Sequence, residues 1–280
     1  MQVCRYLDPV LFLGRAESFL MRAEAENNLM LGISGPPGSA PRVFGEHCYL
    51  ATVEDADEVV ACAIRTPPYK AIITSAGQRA LKFLVDDLAT KYETLPAVLG
   101  PEPTVSLFAQ LWSNRTGTPA RPGMRQRLLE ARQVQPLGSR PAGTLRMAQE
   151  ADLPIITPWA AAFFQEAHLT DPSDPRQVAR DKVGQGSVFL WDEGRPVSMA
   201  AWAGRTARGV RINFVYTPPE YRKRGYASAC VADLTQCLLD EGQAFCCLYT
   251  DLANPTSNRI YQAIGYRSVC DMSDFHFEAG

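Results

Sequence analysis

Histidine is scarce here: 280 residues contain 3, His47, His168 and His276, too few and too scattered for a His-rich metal centre. None of the 8 cysteines falls in a C-x-x-C pair. At this chain length they read as reduced, mostly buried small hydrophobes of a cytoplasmic protein rather than as a zinc site or disulfide framework. Long apolar runs are missing as well. Nothing approaches the roughly 18 residues needed to cross a bilayer, and the N-terminus has only the short run 10–13 behind Asp8, so we expect no signal peptide and no membrane partner. Neither sign of charge dominates: Lys+Arg 28 against Asp+Glu 30 leaves −2, without the basic surplus of a dedicated nucleic-acid binder. No G-x-S-x-G elbow occurs, which argues against an α/β-hydrolase. The glycine-rich stretch 32–41 (GISGPPGSAP) lacks the Gly-Lys-Ser/Thr ending of a phosphate-cradling P-loop and reads as a loop. His276-x-Glu278 is half of a deaminase signature whose P-C-x-x-C partner is absent.

What is present is an ordinary globular mixture, 46% hydrophobic and 21% charged, in a chain comfortable for two domains. The stretch 135–144, QPLGSRPAGT, carries two Pro and two Gly with little to bury, the composition of a linker. The expected division is 1–135, a linker at 136–144, and 145–280. The halves echo one another. Residues 48–68 read as strand, acidic turn, strand, and 187–206 repeat that order around Asp192–Gly194. Each is followed by another strand, 71–75 or 211–217, and then by a helical pattern.

The second half resolves further. A helical region starts at 157–166, and 171–175 (DPSDP) reads as a loop. Strands follow at 188–191, 197–203 and 211–217, the last stopped by Pro218-Pro219. Ala227, Cys230, Val231, Leu234 and Leu238 recur at helical spacing up to Gly242. A buried strand at 245–250, a short helix at 256–264 capped by Gly265, and closing strands at 267–271 and 275–277 complete an α/β or α+β domain with a mixed sheet. Cys230, Cys237, Cys246 and Cys247 read as core, and Trp159, Trp191 and Trp202 as packing residues.

Chemistry concentrates in two places. In the first, a strand runs into Arg222-Lys223-Arg224-Gly225-Tyr226-Ala227, and this turn opens directly into the amphipathic helix. Helix starts present unpaired N–H groups and positive partial charge. Gly225 lets backbone approach a ligand, Ala227 leaves the first helical turn unobstructed, and three cations line the edge, a combination suited to a pyrophosphate. Taken alone, these six residues also fit a solvated strand–helix connection. The second place is 251–266, DLANPTSNRIYQAIGY, where Asn254-Pro255 turns the chain into a short helix bearing Asn258 and Tyr261.

Together the two stretches resemble the GNAT superfamily of acetyl-CoA-dependent N-acetyltransferases. Arg222, Gly225 and Ala227 match its Q/R-x-x-G-x-G/A motif, with Pro-Glu-Tyr at 219–221 ahead of it. Asn254, Tyr261, Gly265 and Tyr266 match its later motif, in order and separation. The resemblance covers roughly 145–277 and is nearest to a bacterial subgroup close to glycine N-acyltransferase-like members. The first half carries only SAGQRA at 75–80, with one Gly and no basic cluster, so a tandem arrangement with a degenerate first repeat is the expected fold.

The resemblance implies roles residue by residue. Backbone groups of Phe214, Val215 and Tyr216 would pair with the pantetheine arm. N–H groups from Arg222, Lys223, Arg224, Gly225, Tyr226 and Ala227 would hold the pyrophosphate, and Asn254, with Asn258 beside it, would contact the pantetheine or fix its loop. Tyr261 would donate a proton or hydrogen bond to the departing thiolate, its bland alternative being ring packing. An N–H of the splayed strand would face the oxyanion. Asp251 and Glu166 are the general-base candidates beside a water chain. No metal is required. The acceptor is a small-molecule or peptide amine that no motif names, and a homodimer stays open. Two other readings remain: a non-catalytic acyl-CoA sensor, and a glycine N-acyltransferase-type enzyme using a longer acyl chain.

Overall fold

Apolar periodicity sets the elements, and their order repeats. A computed structural model of the protein describes residues 1–35, 47–167 and 173–277. Its first half runs β1 (Gln2–Tyr6), α1 (Pro9–Leu20), α2 (Asn28–Ser34), β2 (Tyr49–Asp55), β3 (Glu58–Arg65), β4 (Ala71–Ile73), α3 (Gln78–Lys91), β5 (Ala97–Pro101), α4 (Thr104–Thr116) and β6 (Ala120–Ala131). The second half repeats that order with β7 (Thr144–Met147), α5 (Leu153–Glu166), α6 (Pro175–Gly184), β8 (Val188–Asp192), β9 (Pro196–Ala203), β10 (Gly209–Tyr216), α7 (Tyr226–Asp240), β11 (Phe245–Asp251), α8 (Pro255–Ile264) and β12 (Arg267–Phe277). The echo in the sequence is this repeat, with β2–β3 answering β8–β9 and β4 answering β10. The glycine-rich stretch from residue 36 on, His168, residues 171–172 and Glu278 lie outside the described residues.

Local chemistry explains most boundaries. Asp8 accepts the Val10 N–H at 2.6 Å with Pro9 at the first helical position, and Asp174 accepts the Arg176 N–H at 3.0 Å ahead of Pro175. The second of these corrects the expected loop at 171–175, whose last two residues start α6. The helix expected from 157 begins at Leu153. The two closing strands expected at 267–271 and 275–277 are one strand, β12, which absorbs register shifts between Ser268 and Cys270 and between Ser273 and Phe275.

Among the described residues the strands form one mixed sheet in the order β1-β2-β3-β4-β5-β12-β6-β11-β10-β9-β8-β7. The two halves exchange their last strands. β12 lies between β5 and β6 of the first half, with Met272 opposite Pro101 and Phe277 opposite Ala120. β6 in turn pairs with β11 of the second half, Cys246 opposite Ala131 through Asp251 opposite Gln126. In the second half α7 and α8 cover one face, around Val210, Ile212, Cys246 and Leu248, while α5 and α6 cover the other, around Leu190, Met199, Phe214 and Tyr216.

The exchange ties both cores to both halves of the chain. Phe277 packs with Trp112 of α4 at 5.9 Å between ring centroids, inside the first-half core. Phe277→Ala in the chain's last strand is therefore expected to cost about 3 kcal/mol while unfolding stays a single transition. Urea denaturation checks this, and a separately melting first half would contradict the exchange.

Candidate active site

β10 and β11 run parallel and then part. They pair only at Gly209 with Phe245, Val210 with Cys246 and Arg211 with Cys247. Beyond that point β10 stays bound to β9, and β11 stays bound to β6 as far as Asp251. The facing edges of the two strands therefore open as a wedge, and among the described residues no strand pairs with them there. A bulge helps to open it. From Asn213 to Tyr216 β10 advances three residues while β9 advances two, from Ala201 to Met199, and Phe214 adopts φ 57. A non-glycine residue in the left-handed region is costly, and the surroundings hold it: the Phe214 ring meets Phe163 at 5.3 Å and Phe164 at 6.4 Å.

The wedge's walls place the three predicted strand residues differently. The Phe214 side chain is buried under α5, and so is that of Tyr216, whose ring contacts Trp159 at 6.3 Å. The Tyr216 carbonyl accepts a hydrogen bond from Ser198 Oγ at 3.1 Å. Val215 packs on the opposite face with the α7 and α8 core.

Past Tyr216, a turn at Pro219–Tyr221 leads into the basic loop and α7. Lys223 (φ 63) and Gly225 (φ 83) are both left-handed and flank Arg224, a backbone alternation that points successive N–H groups into one concavity. Gly225 is the N-cap, and among the described residues no side chain caps the helix there, which leaves the first N–H groups of α7 at Tyr226 and Ala227 open to a ligand or solvent. The side chains have other partners. Arg222 donates to both Glu166 oxygens at 2.7 and 2.8 Å and to the Thr217 carbonyl at 2.8 Å. This exposed ion pair is worth little and opens easily, and it engages one of the two carboxylates considered as a base. The Tyr226 ring is buried and its hydroxyl donates to Glu193. Lys223 and Arg224 are exposed.

Tyr261 stands on α8 in the same packed cluster as Ile212, Leu248 and Val215, its ring edge-on to Tyr266 at 6.0 Å. Burial alone pushes its phenol up to about 12. Among the described residues no group hydrogen-bonds its hydroxyl. The two asparagines are engaged in the turn: Asn254 caps α8 by accepting the Ser257 N–H at 3.1 Å, and Asn258 Nδ2 donates to the Asp251 and Asn254 carbonyls at 3.1 and 2.9 Å. The Asp251 carboxylate accepts the Ala253 N–H at 2.8 Å. The fold thus sets the backbone of Phe214–Tyr216 ahead of the Arg222–Ala227 turn, Tyr261 in the α7/α8 core, and Asn254 and Asn258 in the hydrogen bonds of the turn before α8.

The α5/α6 side of the wedge carries polar groups that no motif reveals. Arg211, the last β10 residue paired with β11, donates to Asn28 Oδ1 at 2.9 Å, and Asn28 Nδ2 donates to the Tyr249 hydroxyl at 2.8 Å. Lys182 of α6 reaches Asn213 Oδ1 at 3.4 Å and lies 5.6 Å from the Phe214 ring centroid. These residues are separated by up to 221 positions in the chain, so only the fold brings them together.

Burial, aided by the like charge of Arg211, pushes Lys182 down to about 8. The folded protein then releases this proton near pH 8, while the unfolded chain holds it to about 10.4. Between those values the unfolded state binds more protons, so stability relative to Lys182→Met is expected to rise with pH, by about 3 kcal/mol in all, and to be flat below. Paired urea titrations of the two proteins from pH 7 upward check the sign; a margin that falls with pH would contradict it.

Among the described residues no cluster of three His, Cys, Asp or Glu side chains is placed to hold a metal ion, and no helix is long and apolar enough to cross a membrane. Residues 190–273 match the family model described as FR47-like protein. None of the curated proteins matches the sequence. Among solved structures, the chain resembles an acetyltransferase from the GNAT family of Colwellia psychrerythraea, with TM-score 0.59 at 10% identity over 99% of this chain and 100% of that one. A GCN5-related N-acetyltransferase from Kribbella flavida gives 0.58 at 17% identity over 92% and 95%. A tandem GNAT protein from the clavulanic acid biosynthesis pathway gives 0.58 at 12% identity over 100% and 98%. The sheet order, the repeat of ten elements and these likenesses agree: the chain has the GNAT fold, twice, in tandem.

Proposed function

We propose that the second half, 145–280, is an acetyl-CoA-dependent N-acetyltransferase and that 1–135 is a repeat without a cofactor site of its own. The observation that carries this reading is the opening of β10 from β11 beside an uncapped helix start. An extended pantetheine arm fits such an edge as an added strand does, and a diphosphate fits the N–H groups of Arg222–Ala227. Gly225 supports the fit, because its left-handed backbone keeps the first turn of α7 turned toward the loop and a side chain there would be strained.

Acetyl-CoA supplies a thioester carbonyl open to attack by an amine. The chain's residues orient and stabilise. Backbone groups of Phe214–Tyr216 hold the arm, and an N–H of that segment stabilises negative charge at the carbonyl oxygen. The Tyr261 hydroxyl faces the departing sulfur. With its phenol near 12 and a thiol near 8.5, full proton transfer is uphill, so Tyr261 acts chiefly as a hydrogen-bond donor to the thiolate. The acceptor nitrogen attacks directly, the C–S bond breaks, and the amine proton passes to water, with no covalent enzyme intermediate.

Thiol release from acetyl-CoA across a panel of amines tests the activity, and tight acetyl-CoA binding without release would favour a sensor. Tyr261→Phe is expected to lower kcat by about 10²-fold with acetyl-CoA affinity nearly unchanged; an unchanged kcat would remove Tyr261 from the reaction. Gly225→Val should do the reverse, weakening acetyl-CoA binding by about tenfold through left-handed strain at the loop. Calorimetry against acetyl-CoA reads that loss, and retained affinity would contradict the loop assignment.

A further inference from the structure

The first half touches the wedge through Asn28, which opens α2 and is 1% exposed. Its carboxamide joins Arg211 to Tyr249 across the vertex where β10 and β11 part. Arg211 and Asn213 are two apart on β10 and share its α5/α6 face. Lys182 meets that face at Asn213, so two cations stand on the α5/α6 side of the wedge.

Among the described residues Arg211 bonds a carboxamide and Lys182 a carboxamide and an aromatic face, and no carboxylate pairs with either. Glu24, the buried carboxylate of the same first-half segment, is already held by Arg208 Nε at 2.7 Å, by the Arg208 N–H and by the Thr206 hydroxyl. Burial first, and then the like charge of Arg211, raise the cost of the Lys182 charge. An anion between them removes that cost, and the planar guanidinium fork suits a carboxylate.

We propose that Arg211 and Lys182 form a carboxylate subsite for the acceptor, so that the amine acetylated in the wedge belongs to a molecule that also carries a carboxylate, as an amino acid does. This rests on the acetyl-transfer reading above. It gives the first half a part in the site, because Asn28 orients the guanidinium.

The test uses the full chain, the twenty common amino acids and their α-carboxamides, with thiol release and equilibrium binding measured separately. At least one amino acid is expected to bind or react about tenfold better than its carboxamide. Arg211→Gln and Lys182→Gln should each erase most of that margin through KM, leaving acetyl-CoA affinity in place. Should Arg211→Gln disturb the fold through Asn28, Lys182→Gln still decides. Amino-acid binding that both substitutions weaken, without thiol release, would sustain the subsite and overturn the transfer reading alone. Equal behaviour of acid and carboxamide, a margin that survives both substitutions, or no amino-acid binding at all would overturn the subsite.

Discussion

Every buried strand edge must have its N–H and C=O groups met, and this requirement organises the whole molecule. Each half supplies five strands that pair within its own half and a sixth that completes the other. With β12 between β5 and β6, and β6 against β11, the centre of the sheet is continuous. The parting of β10 and β11 stands out against this background. The same two strands are anchored on their outer sides by β9 and β6, so the opening is held by rigid neighbours rather than by a loop.

The bulge at Phe214 links that opening to the helices. Its left-handed backbone is held through the ring, which Phe163 and Phe164 close around. α5 and α6 therefore do two things at once. They bury the α5/α6 face of β10, and they fix the strand in the shape that leaves its far edge unpaired. Packing, backbone strain and the proposed cofactor site meet at one residue.

Much of this was legible in the chain. The strand–turn–strand echo gave the repeat register, and Gly265 marked the end of α8, where the backbone is left-handed. Asp174-Pro175 was equally readable as a helix start, yet the surrounding DPSDP composition pointed to a loop. The exchange of β6 and β12 was not legible: alternation tells which face of a strand is buried, not which strand lies beside it. Asn254 and Asn258 stand at the start of α8, where much of their hydrogen-bonding capacity serves the helix cap and the turn before it, since short carboxamides readily bond nearby backbone. Arg211, Lys182 and Asn28 escaped any reading of spacing, because α2, α6 and β10 are joined only by tertiary packing.

The reciprocal strands have a mechanical consequence for the stretch 135–144. A cut there would sever the only covalent tie between two pieces, yet each piece would still hold a strand of the other inside its sheet. Separation would require tearing whole rows of ladder bonds rather than parting two smooth surfaces, so the severed halves would stay clasped like hooked fingers.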